Sequence, residues 1–261
     1  MKKILIILIA LAFLTQPVFA KSPNKDYKLP DNAVQISDNV YSLGTTYDKQ
    51  SNSFVEGYAF VHKKEKAKNG TAKAPKSPAC YGFLASGARW KNVENWTVFP
   101  GAELDGNFIK NNTASNIAKW ETAAGTPNIL GAGSIGTGLP GNPNTLDDKN
   151  EVSFAHISNS STIAVTIVWG YFGGPAFNRK LIAWDQIYNT DYSWGGDTLP
   201  FNPAKMDFEN ISTHELGHAV GMDDMYNSSC STVTMYGYAT EGEVIKRDLA
   251  PADITGINLL Y

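Results

Sequence analysis

Hydrophobic positions along the chain fall into short alternating runs and a few longer helical stretches. Residues 34 to 62 carry two strand-like runs, Val40-Tyr41-Ser42-Leu43 and Val55 to Val61, on either side of the polar turn Asp48-Lys49-Gln50-Ser51-Asn52-Ser53. They predict a small β-hairpin. From Lys63 to Pro78 the composition is dominated by Lys, Ala, Gly, Pro and Ser, which cannot bury a core and reads as a flexible linker. After Cys80 the pattern changes repeatedly between strand and helix. Trp96-Thr97-Val98-Phe99 reads as a short strand stopped by Pro100, and Phe108, Ile109, Ile117, Ala118 and Trp120 gather on one side of a helix over roughly residues 107–123. Glu151 to Phe154, Thr162 to Trp169 and Leu181 to Tyr188 are β-branched or aromatic runs of strand length. A further helix is expected to start near Asp207 or Asn210, both good N-caps, and a last one at Pro251, with Asp253 favourably placed in its first turn.

The N-terminus changes the picture of where this protein works. Lys2 and Lys3 precede the apolar run Ile4 to Leu14, and Val18-Phe19-Ala20 follows as a small-residue cleavage pattern. Eleven apolar residues are too few for a membrane span, which needs roughly 20. Residues 1–20 therefore read as a removable signal peptide, and the mature protein is expected to be secreted, with no membrane partner once the signal is gone. Charge divides the remainder. Residues 21–79 hold ten lysines against six acids, whereas residues 80–261 hold ten basic and nineteen acidic side chains. Net charges of +4 and −9 make the larger part a poor nucleic-acid binder and favour association of the two parts. Residues 21–79 are thus expected to be a short basic pro-region with a hairpin and a Lys-rich linker, and residues 80–261 the main domain. The linker is either a solvated spacer or the place where a pro-segment is released.

Candidate chemistry concentrates in His214-Glu215-Leu216-Gly217-His218-Ala219-Val220-Gly221-Met222-Asp223-Asp224. On a helix, His214 and His218 stand at i and i+4 and project from one face, close enough to share one metal ion, with Glu215 flanking that face. Gly221 can take the left-handed conformation that ends a helix and turns the chain. That turn would carry Asp224, ten residues after His214, back toward the imidazoles. Three protein ligands leave one position of a zinc ion open, the mark of a catalytic rather than a structural site. His62 and His156 lack ligand spacing and read as ordinary structural residues.

This string, HELGHAVGMDD, resembles the extended zinc motif of the metzincin peptidases, in which the third ligand is usually His and sometimes Asp. On the family spacing Asp224 is the third ligand and Asp223 is off by one residue. Ser231-Thr232-Val233-Thr234-Met235-Tyr236-Gly237 resembles the Met-turn, whose methionine, here Met235, floors the ligands. Leu249 to Ile257 is similar to the start of the C-terminal helix in the matrixin branch, and Tyr236 follows the methionine as in that branch, although Gly237 stands where matrixins often have proline. The resemblance implies an α+β, zincin-type catalytic domain with a mixed twisted sheet, zinc-motif helix, Met-turn and C-terminal helix. It also implies that the strand before the zinc helix, Leu181 to Tyr188, borders the cleft and pairs with an extended polypeptide substrate.

The expected activity is that of a secreted zinc metalloendopeptidase, with His214, His218 and Asp224 holding catalytic Zn²⁺ and Glu215 as general base. The alternative is an exported metal-binding or adhesion module without turnover, against which the intact Glu215 argues. Cys80 and Cys230 are the two cysteines, and an even count in an exported chain favours a disulfide. The rivals are free thiols or a cysteine switch, for which Ser77-Pro78-Ala79-Cys80-Tyr81-Gly82 lacks the preceding Arg and following Pro-Asp. Asp147, Asp148 and Glu151 offer oxygen donors for Ca²⁺, as matrixin-like enzymes commonly hold, or form a solvated acidic loop. A monomer is expected.

Overall fold

The computed structural model describes residues 26–65, 79–101, 104–197 and 200–261. The signal-peptide stretch and linker residues 66–78 lie outside them. No helix among the described residues is long and apolar enough to cross a membrane.

The strands in chain order are β1 (Val34–Ser37), β2 (Val40–Asp48), β3 (Ser53–Lys64), β4 (Arg89–Trp90) and β5 (Trp96–Val98). After helix α1 (Gly106–Ala124) come β6 (Gly133–Ile135), β7 (Glu151–Ala155), β8 (Thr162–Tyr171) and β9 (Lys180–Asn189). The short pair β10 (Trp194–Gly195) and β11 (Met206–Asp207) leads into α2 (Phe208–Ala219), and β12 (Tyr238–Ala239) precedes α3 (Pro251–Leu260). Ten strands form one sheet with the order β1-β2-β3-β8-β9-β7-β5-β6, β4 attached to β9 and β12 to β3. β6, β5, β7 and β9 run parallel, whereas β8 is antiparallel to β9 and β3 is antiparallel to β8. The architecture is α+β.

Local chemistry sets the helix ends. Asp105 caps α1 by accepting from the backbone N–H groups of Asn107 and Phe108 at 2.9 and 3.0 Å, and Gly125 closes it in the left-handed region at φ +62°. Asp207 caps α2 by accepting from Asn210 N at 2.8 Å and is itself held by Arg247. Pro251 starts α3 as expected.

All three helices pack on one face of the sheet, in a core that includes Trp96, Ile109, Trp120, Trp184, Leu216 and Ile257. A second core on the opposite face gathers Tyr27, Val55, Ala59, Val61, Ile167 and Ile187. Period-two alternation places β3 in both: Val55, Ala59 and Val61 enter the second core, while Phe60 joins the helix-side core. The hairpin expected as a small module is therefore continuous with the main sheet. The strand expected to border the cleft, Leu181 to Tyr188, does not: β9 is paired on both edges, by β8 and β7, so no backbone edge remains for a substrate. The strand on the hairpin side of β9 is β8, and its outer edge carries β3.

Candidate metal centre

Helix α2 is buried along almost its whole length, so its histidines face protein rather than water. The Nδ1 of His214 lies 2.8 Å from the carbonyl oxygen of Thr234, and the Nδ1 of His218 lies 3.0 Å from that of Met222. A carbonyl only accepts, so both Nδ1 atoms carry the proton and both Nε2 atoms present lone pairs. Gly221, at φ +106°, turns the chain after α2; a Cβ there would lie 2.8 Å from the carbonyl oxygen of Ala88. Asp224 returns as expected, its Oδ1 3.3 Å from His214 Nε2 and 3.6 Å from His218 Nε2. These three residues offer ligand atoms within 4.8 Å of one another.

The three converging atoms, His214 Nε2, His218 Nε2 and Asp224 Oδ1, are buried without a hydrogen-bond partner among the described residues. Buried polar atoms are almost always satisfied, so three unsatisfied donors aimed at one point fit a cation. Two neutral imidazole nitrogens and one carboxylate oxygen are a donor set suited to zinc. The other carboxylate oxygen, Oδ2, accepts from the Tyr226 hydroxyl at 2.7 Å. Burial opposes ionisation of Asp224, but the neighbouring His218 and His214 rings and the Tyr226 hydrogen bond hold its carboxyl well below the usual range. Asp223 behaves oppositely. Burial, reinforced by the Asp224 charge, pushes it up to about 7, and its Oδ1 accepts from Asp224 N instead of joining the cluster.

Met235 lies beneath α2. A Cβ on Gly217, between the two histidines, would sit 2.1 Å from the Met235 sulfur and 2.9 Å from the Trp120 ring. Asp253 ties this turn to α3, accepting from the backbone N–H groups of Thr234, Met235 and Ala250 at 2.8, 3.2 and 2.9 Å. Cys80 and Cys230 form a disulfide, with Cα atoms 5.4 Å apart, fixing the start of the main domain to the loop between Asp224 and Met235. The cysteine-switch alternative falls with it. The residues considered for calcium are engaged locally: Glu151 accepts from Gly141 N and Asp147 from Lys149 N, and they form no candidate metal group among the described residues.

Glu215 sits beside the cluster, fully buried, with both carboxylate oxygens occupied. Oε1 accepts from His62 Nδ1 at 3.0 Å and Oε2 from the Thr166 hydroxyl at 2.5 Å. Burial raises its pKa, and the neighbouring His214 and His218 partly oppose the rise. His62 is the surprise: read from spacing as structural, it reaches Glu215 across 153 residues and lays its ring 3.9 Å from that of His214. Thr166 and Tyr226 were likewise not singled out. The one signal for His62 was its strand parity with Phe60, which puts both on the face opposite Val61.

No curated protein matches the chain. The crystal structure of metalloproteinase-II from Bacteroides fragilis is similar at 9% sequence identity and a TM-score of 0.34, over 67% of this chain and 53% of that one, so the chain spans about half of that protein. The family model described as Matrixin matches residues 86–261, which contain α2, the Met235 turn and α3. The chain belongs to the matrixin family of metallopeptidases.

Proposed function

We propose that the protein is a secreted zinc metalloendopeptidase that cleaves extended polypeptides, with His214, His218 and Asp224 as zinc ligands and Glu215 as general base. The observation that carries this reading is the convergence of three buried, unpartnered donor atoms beside a buried carboxylate. Zinc held there supplies Lewis-acid chemistry, acidifying water and polarising a peptide carbonyl. Glu215 takes the proton of the attacking water on its carboxylate and delivers it to the leaving amide nitrogen. Burial raises its pKa, which makes the carboxylate a stronger base than an exposed one. Thr166 orients the carboxylate through Oε2, and the Thr234 and Met222 carbonyls fix the imidazole tautomers.

Secretion rests on the signal-like residues 1–20 and agrees with a disulfide, which persists in oxidising compartments. The test pairs metal analysis with proteolysis. Zinc is expected at one ion per chain in both wild type and Glu215→Ala, while casein cleavage falls by about 100- to 10,000-fold in the variant. Zinc-loaded wild type, cut in the linker, that cleaves no peptide in a broad mixture would sink the peptidase reading.

A further inference from the structure

We propose that Lys246 determines which side chain the site accepts on the leaving-amine side of the scissile bond, selecting glutamine or glutamate, whose side chains end in a hydrogen-bond acceptor. The inference rests on the peptidase reading and names a substrate preference of the same site. It starts from a lysine that the chemistry above does not use and that has no exposed surface. A buried ammonium is costly unless acceptors surround it. Lys246 Nζ donates to the Tyr238 carbonyl oxygen at 2.6 Å and to Glu243 Oε1. Its backbone N–H donates to Asn210 Oδ1 at 2.7 Å, which ties it to α2 one turn before His214. An ammonium has three N–H donors, so one is left without an acceptor among the described residues. The Tyr236 ring centre is 5.9 Å from Nζ, at the limit of cation–π range.

His62 shows what such a place takes. Its ring lies 3.9 Å from that of His214, and its Nδ1 donates to Glu215 Oε1 at 3.0 Å, so the lone pair of the neutral imidazole is on Nε2. That Nε2 is buried and has no hydrogen-bond partner among the described residues. Burial lowers the pKa of the ring, and Lys246 is the first of the charges that add to the effect. The neighbouring residue, Lys63, pairs with Tyr238, whose carbonyl holds the ammonium. His62 thus has Glu215 on one side and an acceptor atom near the spare donor of Lys246. A substrate side chain in the same place meets the same groups. Glu215 delivers its proton to the leaving amide nitrogen, so the side chain beside Glu215 belongs to the residue that carries that nitrogen. Oε1 of glutamine or glutamate stands as many bonds from Cα as Nε2 of histidine does. Leucine fills the same space but leaves the N–H unpaired, a mismatch that a polar site rejects strongly.

The test uses the zinc-loaded full chain, cut in the linker, and peptides that differ only in the residue after the scissile bond, with the cleaved bond identified by mass spectrometry. Glutamine or glutamate at that position is expected to exceed leucine by about 10- to 100-fold in kcat/KM, the worth of a hydrogen bond to a charged group. Lys246→Met keeps the apolar stem and removes the donors, so it should abolish or invert this preference, with circular dichroism and zinc content as in wild type. Glu243→Gln gives a second reading that does not depend on that variant folding. It keeps an acceptor for Lys246 but leaves the ammonium without a paired carboxylate, so glutamate should gain on glutamine by about 10-fold. A leucine preference in wild type, an unchanged glutamine-to-leucine ratio in folded Lys246→Met, or an unchanged glutamate-to-glutamine ratio in Glu243→Gln overturns the proposal and leaves the peptidase reading intact. Zinc-loaded, cut wild type that hydrolyses none of the peptides refutes the peptidase reading itself, and this inference with it.

Discussion

The Tyr226 hydroxyl donates to Oδ2 of Asp224 at 2.7 Å, while Oδ1 of the same carboxylate faces His214 Nε2 and His218 Nε2. Tyr226 thereby takes one oxygen and leaves the other facing the two imidazoles. Tyr226→Phe removes the donor and keeps the ring, so the fold should survive and the circular dichroism spectrum should be unchanged. Zinc affinity should drop by about 10- to 100-fold, the usual cost of losing a partner that orients a ligand. Competition with a chelator of known affinity measures it, and an unchanged affinity would show that Asp224 is oriented without Tyr226.

Gly217 is a packing requirement of the site rather than a source of flexibility. Gly217→Ala would bring a methyl group against the Met235 sulfur and the Trp120 ring, both fully buried. Overpacking of this kind costs about 1–3 kcal/mol. Urea denaturation of the variant should show a lower midpoint with an unchanged slope, and Gly217→Ala together with Met235→Ala should recover part of the loss.

The disulfide closes a sequence separation of 150 residues. Replacing both cysteines by serine should destabilise the chain by about 4–5 kcal/mol on the loop-entropy model. Zinc binding in the folded variant should weaken as well, since Cys230 lies in the loop that joins Asp224 to Met235. Equilibrium unfolding of the zinc-free chain separates the first effect from the second.

Acidification should destabilise the zinc-free protein through its buried imidazoles. Burial lowers the pKa of His62 and His218, the nearby Lys246 ammonium contributing at His62. As pH falls below about 6.5 the unfolded chain takes up protons that the folded one refuses, so this part of the stability is lost. Above about 7 both states are neutral and the dependence vanishes. Thermal melts between pH 8 and pH 5 should therefore fall less steeply in His62→Gln than in wild type; equal slopes would exclude His62 as a contributor.

Much of the site was legible because its signals are local. A helix puts residues i and i+4 on one face whatever surrounds it, so His214 and His218 could be paired from spacing alone. Gly221 and Asp224 followed from the single turn that ends the helix. The cap at Asp207, the start at Pro251 and most strand bounds are local in the same sense. The disulfide needed only the count of two cysteines and the expectation of export.

Other features depended on which strand lies beside which. Leu181 to Tyr188 looked like a cleft edge because it precedes α2 in sequence, yet hydrogen bonding to β7 and β8 makes it an interior strand. His62 carried no ligand spacing, since its partner lies 153 residues away and is brought to it only through β8.

By itself, then, the sequence determined the candidate ligand residue types, their helical spacing and the return of Asp224, all consequences of backbone geometry within a few turns. Only the tertiary structure decided the occupancy of the β8 edge and the burial of Glu215 under His62 and Thr166. Strand order is a property of long-range hydrogen bonding and core packing. Two chains with the same local periodicities can differ in it, because alternation records which face of a strand is buried and not which strand covers its edge.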